Sequence, residues 1–314
     1  MSEVFHAVKD SLAALAAGEA RWLVGVSGGG DSVALLRLLC EAGLQERIVV
    51  GCFNHQWGEF GDTSVAFVEE LTGTLGVAYR EGTGGGRALK NAEKIARDER
   101  IAWMRAVCAE EELAGVLLAH TQDDVVESFL MRAGKGSGLS GLAGMDKEAE
   151  RYGLMWLRPL LEIGREELRE YLRELNQEWL EDPDNVVGGN QRARIRKLLP
   201  ALEEAGVTLH GMAASIAALK DADAMVRELV EAFPVTEARG ELVMGRELLA
   251  GAPLELAVRM IGRVIGQITP DEMVVRRSKR VALWQRMCAD ESGAATLGGA
   301  KFTWDKETLR VVPE

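Results

Sequence analysis

The 314-residue chain has few cysteines, few aromatic residues and no long apolar run. Its four cysteines lie far apart without a CxxC pair, which argues against a thiolate zinc or iron–sulfur site and predicts reduced thiols. No stretch of 18 apolar residues occurs, so we expect no membrane span. Residues 1–20 lack the basic start and long apolar centre of a signal peptide. We therefore expect a cytoplasmic protein.

Positive charge is also in the minority. The chain has 37 Lys and Arg against 49 Asp and Glu, a net charge of −12. An acidic balance gives no global signal for binding nucleic acid or an anionic membrane. Any polyanionic partner must therefore be held by local basic clusters. The length, with 47% hydrophobic residues, is enough for two domains.

Apolar runs alternate with helical patterns along the first 206 residues. Strands are predicted at 21–26, 47–55, 77–81, 115–120 and 154–160, and helices at 31–43, 64–76, 88–113, 121–133 and 164–176. This alternation predicts an α/β fold with a parallel sheet covered by helices on both faces. After about residue 206, helical patterns dominate, and residues 295–314 predict a small hairpin. We therefore predict domains at 1–206 and 207–314, the second mainly helical.

The string SGGGDS, residues 27–32, lies between the first predicted strand and a helix start. Glycines let phosphate oxygens approach backbone N–H groups, and the helix dipole favours an anion there. The string is neither GxxxxGK[ST] nor GxGxxG. Asp31 would repel a phosphate unless a divalent cation such as Mg²⁺ lies between them. The alternative is a tight turn in which Ser27 or Asp31 caps the helix.

One predicted helix carries an acidic face. His120, Asp123, Asp124 and Glu127 are spaced at i, i+3, i+4 and i+7, which places them on the same side. Such a face indicates a pocket for a cation, either a lysine ammonium group or Mg²⁺. The alternative is a solvated acidic surface.

Basic residues and one further histidine give weaker signals. Arg97 and Arg100 are either a solvated pair or phosphate ligands, and His55 follows the second strand, where it is either structural or directed into the cleft. Basic clusters at 192–197 and 276–280 are either solvated faces or contacts to nucleic-acid phosphates. The glycine-rich segment 132–142 is a candidate border of an RNA site.

Several ordered motifs resemble those of a known family. SGGGDS resembles the SGGxDS signature of the N-type ATP pyrophosphatases, also called the PP-loop family. Segments 91–104, 117–145, 157–172 and 179–206 resemble motifs of the bacterial tRNA(Ile)-lysidine synthetases. The resemblance covers residues 21–206, and residues 296–302 are similar to the family's closing strand. It implies the PP-loop ATP pyrophosphatase fold, which is adenine nucleotide alpha hydrolase-like.

The resemblance also implies roles for individual residues. ATP would bind as a substrate to Ser27, Gly28, Gly29, Gly30, Asp31, Ser32 and Arg97, with Mg²⁺ at Asp31. Asp31, His120 and Asp123 would be catalytic, and Asp124 and Glu127 would bind L-lysine. The tRNA would be held by Arg192, Arg194, Arg196 and Lys197.

The implied reaction adenylates the wobble cytidine of a CAU-anticodon tRNA(Ile), and lysine then displaces AMP. A homodimer is left open. The chain departs from the family at Asn54-His55, where Asp-His is usual, and at Thr121 and Ser128. Two alternatives stay in view. The first is another adenylating enzyme, such as a tRNA thiolase or an amidotransferase synthetase, and the second is a non-catalytic nucleotide-binding module.

Overall fold

The protein is described by a computed structural model that covers residues 3–86, 92–181, 191–238, 240–269 and 275–314. The chain divides into two compact units. Unit 1 comprises residues 1–131 and 144–214, and unit 2 comprises residues 132–143 and 215–314. The first unit therefore continues past residue 206, and unit 2 includes a short segment from the middle of the α/β region.

Unit 1 is built on a six-stranded sheet with the strand order β3-β2-β1-β4-β6-β5. All neighbouring strands are parallel except the last pair, β6 and β5. The strands are β1 (Trp22–Gly25), β2 (Ile48–Asn54), β3 (Ala78–Thr83), β4 (Gly115–Leu117), β5 (Glu148–Arg151) and β6 (Leu154–Leu157). The predicted parallel sheet is thus confirmed, with one antiparallel edge strand that the sequence did not indicate.

Helices cover both faces of this sheet. The helices of this part of the chain are α1 (Glu3–Ala17), α2 (Gly30–Glu41), α3 (Glu59–Leu75), α4 (Ala92–Glu110), α5 (Gln122–Ala133), α6 (Leu139–Leu142), α7 (Arg165–Glu174) and α8 (Gln191–Glu204). Of these, α6 and the last two residues of α5 belong to unit 2 and not to the body that holds this sheet. The helix predicted at 88–113 begins at Ala92 within the described residues, and its first residues lie outside them. Within the described part of the chain, no helix is both long enough and apolar enough to span a membrane.

Alternate residues of β1 pack against opposite layers. Val24 belongs to a buried cluster with Leu35 of α2, whereas Leu23 belongs to a second cluster with Ile101 and Met104 of α4. A strand buried on both faces must be apolar at every position, which explains the continuous run in the sequence. The carboxyl ends of β1, β4 and β6 consequently lie side by side at one sheet edge, each followed by a loop and a helix.

Unit 2 combines helices with an antiparallel sheet of order β7-β8-β11-β10-β9. Its elements are α9 (Leu209–Ala232), whose first residues belong to unit 1, β7 (Thr236–Ala238), β8 (Glu241–Gly245), α10 (Arg246–Ala250), α11 (Leu254–Ile268), α12 (Arg277–Ala289), β9 (Gly293–Leu297), β10 (Ala300–Trp304) and β11 (Thr308–Pro313). The predicted hairpin is therefore part of a larger sheet. β7 and β8 have three and five residues, too few to show a clear alternation in the sequence.

Candidate active site

The glycine-rich loop joins β1 to α2 and is fixed by hydrogen bonds from three serines. The Ser27 N–H donates to Ser32 Oγ at 3.1 Å, and Ser32 Oγ donates to the Gly29 carbonyl at 2.8 Å. From α3, Ser64 Oγ donates to the Ser27 carbonyl at 2.5 Å. The loop also pairs with residues far along the chain, because the Leu180 N–H donates to the Gly28 carbonyl at 2.9 Å. Its shape is thus set by the protein before any ligand binds.

The three glycines of this loop differ in how the surrounding structure constrains them. Gly28 has φ +80°, which disfavours other residues, and a Cβ on Gly30 would lie 3.3 Å from the indole of Trp179. Gly29 has φ −72°, and a Cβ at this position would meet nothing closer than Ser27 Oγ at 3.6 Å. Gly29 is also the N-cap of α2 and brings no side chain to the first-turn N–H groups. The protein's own packing leaves space here, which suits an anion.

One guanidinium group lies among the predicted acidic residues. Arg165, the first residue of α7, contacts four carboxylates that the sequence had assigned to the site. Its nitrogens lie 3.1 Å from Asp31, 3.6 Å from Asp123, 3.5 Å from Asp124 and 3.3 Å from Glu127. The side chain of Arg165 is only 11% exposed. The acidic face of α5 is therefore not a solvated surface, since it converges with the start of α2 on one buried cation.

Backbone contacts hold these carboxylates in place. The Arg165 N–H donates to Asp123 at 2.8 Å, and the Thr121 N–H donates to Asp124 at 3.0 Å. The Gln122 N–H donates to the Ile163 carbonyl at 2.9 Å, which joins the start of α5 to the loop before α7. Three helix starts thus meet where β1, β4 and β6 end, the edge at which parallel sheets bind ligands.

Glu127 has a second cationic partner. Its carboxylate is fully buried and accepts from Arg196 Nε at 2.8 Å and from Arg196 Nη2 at 3.3 Å. Nearby, Arg192 donates to Ser128 Oγ at 3.2 Å. Arg194 and Lys197 are exposed on the same helix, α8. The basic cluster predicted to bind tRNA therefore has two kinds of members, since two side chains contact α5 and two face solvent.

The electrostatics of the cluster favour an additional cation. Burial raises the pKa of Asp31, and the charge of Arg165 offsets this only in part. Burial alone would lower the pKa of Arg165, but the four surrounding carboxylates outweigh it and raise the pKa. Among the described residues, four carboxyl groups lie at ion-pair distance from two arginines, Arg165 and Arg196, so acidic groups outnumber basic ones here.

The predicted magnesium site has a single strong candidate ligand. Among the residues that the structure describes, no three His, Cys, Asp or Glu side chains are arranged to hold a metal by themselves. Mg²⁺ commonly takes one or two protein carboxylates and completes its coordination with phosphate and water oxygens. Asp31, at the start of α2 beside the open glycine loop, fits that type of site.

His120 lies beside Arg158, just before α5. Arg158 Nε donates to His120 Nδ1 at 3.2 Å. Burial is the main cause that lowers the pKa of His120 to about 4, Asp124 opposes the shift, and Arg158 and Arg192 add to it. His120 is therefore neutral at pH 7, and because Nδ1 accepts a hydrogen bond, its proton is on Nε2.

The remaining predicted residues lie on other elements. Arg97 is exposed on α4 and reaches the Tyr152 hydroxyl at 3.5 Å, and its role in ATP binding stays a prediction. Asn54 donates to Asp62 at 2.8 Å, and an aspartate at this position would face that carboxylate instead. His55 packs against Phe53, and burial, with help from Arg100, lowers its pKa.

Sequence reasoning missed three residues of this site. Arg165 and Arg158 belong to the segment LRPLLEIGREELREYL, which carries a family resemblance but no periodic or glycine signal that singles them out. Trp179 packs against Gly30 and belongs to the described part of the chain. It lies just before residues 182–190, which are outside that part. Each of the three contacts the predicted residues from a distant part of the sequence.

Comparisons with known proteins identify the family of this chain. A family model described as a PP-loop domain matches residues 2–202. The tRNA(Ile)-lysidine synthase of Ruegeria pomeroyi is 31% identical over 93% of this chain and 70% of that protein. The tRNA(Ile)-lysidine synthase of a Methylobacterium species is 30% identical over 93% of this chain and 88% of that protein.

Solved structures show the same fold. The U34-tRNA thiolase NcsA from Methanococcus maripaludis, solved with its [4Fe-4S] cluster, superposes with a TM-score of 0.55 at 19% identity, covering 69% of this chain and 74% of that one. The similarity at this identity concerns the fold alone. The family model, the relatives and the site together show that this chain is a PP-loop enzyme of the tRNA(Ile)-lysidine synthase family.

Proposed function

We propose that the protein uses ATP to join L-lysine to C2 of the wobble cytidine in a CAU-anticodon tRNA(Ile), with AMP and pyrophosphate as products. The observation that carries this proposal is the convergence of four carboxylates on Arg165 beside an open glycine loop. The loop offers a place for phosphate, and the carboxylates offer a place for an ammonium group. The family membership supplies the tRNA as the third component.

In the first step, the C2 oxygen of the cytidine attacks the α-phosphorus of ATP and pyrophosphate leaves. The proposed phosphate site is the N-terminus of α2, where Gly29 leaves space and no side chain caps the helix. Asp31 would hold Mg²⁺ there, and the ion would neutralise charge on the phosphates. The protein contributes mainly by positioning and by charge stabilisation.

In the second step, the bound ammonium group of lysine first loses one proton to the solvent and becomes a nucleophilic amine. The amine attacks C2, AMP leaves with the bonding electrons, and the attached nitrogen loses a second proton to the solvent. Asp124 and Glu127 are the proposed partners of the lysine side chain. Because Arg165 already contacts both carboxylates, lysine must take over at least one of these contacts. Glu127 keeps Arg196 throughout, which leaves Asp124 as the carboxylate with more freedom to change partner.

His120 is proposed to act as a hydrogen-bond donor. Its Nδ1 accepts from Arg158, so only the Nε2–H can point to a ligand. A neutral imidazole with a pKa of about 4 is a poor base at pH 7, but it donates well to a phosphate or carbonyl oxygen. We therefore assign His120 to orienting the adenylated group. Asp123 positions Arg165 by accepting a hydrogen bond from the Arg165 backbone N–H.

The tRNA is proposed to contact the exposed side chains of α8, Arg194 and Lys197. These supply local positive charge in a chain of net charge −12. Three further points stay predictions: the division of labour between domains 1–206 and 207–314, a homodimer and the cytoplasmic location.

For the wobble base to reach the loop between β1 and α2, it must leave its stack.

The cysteines argue against the sulfur-transfer alternative. Cys40, Cys52, Cys108 and Cys288 are free and belong to four different elements, α2, β2, α4 and α12. Burial raises the pKa of Cys40, Cys52 and Cys108 to about 11, so these thiols are not activated. A thiolase that held a cluster on cysteines would need ligands brought together.

The experiment that tests the proposal is mass spectrometry of nucleosides. Unmodified tRNA(Ile) transcript would be incubated with the protein, ATP and isotope-labelled lysine, then digested. We expect labelled lysidine only when all components are present, and a transcript with uridine at the wobble position serves as the control. Pyrophosphate release without labelled nucleoside would show a different adenylated substrate.

A further inference from the structure

Unit 2 contains a polar cavity of about 300 Å³ whose lining shares no residue with the candidate active site. Its lining includes three arginines, one glutamate and two serines of a glycine–serine loop: Arg259, Arg277, Arg280, Glu255, Ser137 and Ser140. All of these residues belong to unit 2. The cavity is therefore complete within one compact body.

The charges around the cavity do not balance. Arg259 pairs with Asp223 and with Glu255, and Arg277 pairs with Glu255 at 3.1 Å. Arg280 donates to the Val258 carbonyl at 3.2 Å, and within the described residues no carboxylate lies at ion-pair distance from it. Among the described residues, the three lining arginines share two carboxylates, Asp223 and Glu255, and Asp223 also pairs with Arg227, so positive groups outnumber negative ones.

Two of the lining arginines also have a buried Nε–H group without a partner. The Nε atoms of Arg277 and Arg280 are buried, and neither has a hydrogen-bond partner among the described residues. Burial lowers the pKa of Arg280, Glu255 opposes the shift, and Arg277 and Arg259 add to it. A partly buried guanidinium group beside two others is electrostatically unfavourable, and an anion that joined the group would offset the repulsion.

The backbone makes room for these guanidinium groups. A Cβ on Gly138 would lie 2.7 Å from Arg277 Nε, and a Cβ on Gly262 would collide with Arg280 Nη1. Gly262 stands inside α11, where glycine stabilises a helix less than alanine does. An alanine at either position would move an arginine away from its place beside the cavity.

We propose that this cavity binds a phosphate group. A phosphate offers several oxygens that can accept from arginines and from the hydroxyls of Ser137 and Ser140 at the same time. The volume corresponds to about ten water molecules at roughly 30 Å³ each, which is more than a phosphate alone requires. The phosphate therefore comes either from an RNA backbone or from a free ion, and only the first source rests on the proposed function.

The test compares inorganic phosphate binding by calorimetry in variants of the full chain. All calorimetric measurements use a Gly29→Ala background, which fills the other expected anion site. Against this background, Arg280→Gln should weaken phosphate binding at least tenfold. Arg310→Gln removes the same charge from an exposed strand position of unit 2 and should change nothing. Phosphate should also raise the melting temperature of the wild type.

Equal phosphate binding by the Arg280→Gln and Arg310→Gln proteins would overturn the proposal, as would no phosphate binding by the parent protein that carries only Gly29→Ala. If Arg280→Gln does not fold, Arg277→Gln takes its place, with the same expected loss. Thermal unfolding of every variant is recorded first.

A second measurement distinguishes the two sources. Binding of a tRNA transcript is followed across a salt series. If the RNA backbone supplies the phosphate, Arg280→Gln lowers the log–log salt slope by about one and phosphate competes with tRNA. If a free ion is the ligand, the Arg280→Gln protein binds tRNA as well as the Arg310→Gln protein does, but it no longer binds phosphate. Failure of the wild type to form lysidine would refute the proposed function and leave the calorimetric result intact.

Discussion

Glu127→Gln is the substitution that tests the acidic site most directly. The change keeps the shape of a side chain that is fully buried, but it removes the charge that faces Arg165 and Arg196. It therefore separates the electrostatic role of the carboxylate from its packing. We expect the protein to fold, to be less stable and to require more lysine.

The size of the stability loss follows from what each arginine retains. Removing one partner of a buried ion pair costs about 3–5 kcal/mol when the other charge is stranded. Arg165 keeps three carboxylates, and Arg196 is 33% exposed and can be solvated. We therefore expect a smaller loss, about 2 kcal/mol, close to the value of a charged hydrogen bond.

Urea unfolding followed by circular dichroism measures this loss. The matched control is Glu162→Gln, which removes the same group from an exposed ion pair with Lys147. Glu162 is 72% exposed, and such pairs contribute about 1 kcal/mol or less. If the two substitutions lower the free energy of unfolding equally, the buried cluster is not held together by charge.

The kinetic measurement uses lysine and ATP titrations of the same variant. Loss of a partner from a partly buried cation site costs about 2 kcal/mol or more, which is roughly 30-fold in half-saturating lysine. The ATP dependence should change far less, because Glu127 does not contact the glycine loop. An equal effect on both substrates would show that Glu127 serves the nucleotide or its metal instead.

Four further predictions follow from the same geometry. Asp31→Ala should abolish AMP and pyrophosphate formation without unfolding the protein, and near wild-type product release would contradict its proposed role with Mg²⁺. Gly29→Ala should leave the free energy of unfolding within about 0.5 kcal/mol, because its Cβ has room, yet raise half-saturating ATP at least tenfold. Burial holds the pKa of His120 at about 4, below its unfolded value of 6.5. Protonation therefore favours the unfolded state, and wild type should lose up to about 3 kcal/mol relative to His120→Gln as the pH falls from 6.5 to 4. Neutralising Arg194 and Lys197 together should weaken tRNA binding and lower the log–log salt slope by about two, with ATP use unchanged.

Controls are available for the pH and tRNA predictions. The stability difference between wild type and His120→Gln should be constant above pH 7, and a constant difference down to pH 4 would contradict the shifted pKa. Lys306→Gln removes an exposed charge from unit 2 and should leave the salt slope of tRNA binding unchanged. Arg196 is a poor probe of tRNA contact, because its loss also disturbs Glu127.

The sheet of unit 1 could be predicted because its signals are local. A strand buried on both faces is apolar throughout, and the helices between the strands show their own period. The sheet of unit 2 was harder. β7 and β8 are short. β8 pairs with β7 on one side and with β11, more than 60 residues later, on the other, so its second partner is not visible in a local pattern.

The acidic residues of the site could be predicted from the sequence, whereas the contacts of its arginines could not. Asp123, Asp124 and Glu127 share one helix face, which spacing reveals, and the glycine loop carries a distinctive string. Arg165 contacts these residues only because β4 and β6 are neighbours in the sheet. Sequence spacing cannot show such a contact, and it likewise left Arg196 among the tRNA ligands although the structure pairs it with Glu127.

The position of Arg165 also bears on how tightly the protein can bind a cation. Four carboxylates without a counterion would repel one another, so the arginine keeps them assembled before any substrate arrives. At the proposed lysine site, lysine would therefore enter by exchange with a cation already present, and its affinity would reflect the difference between two sets of ion pairs rather than the full strength of one. Such a site would release an unused amino acid readily, and we expect free guanidinium compounds to compete with lysine for it.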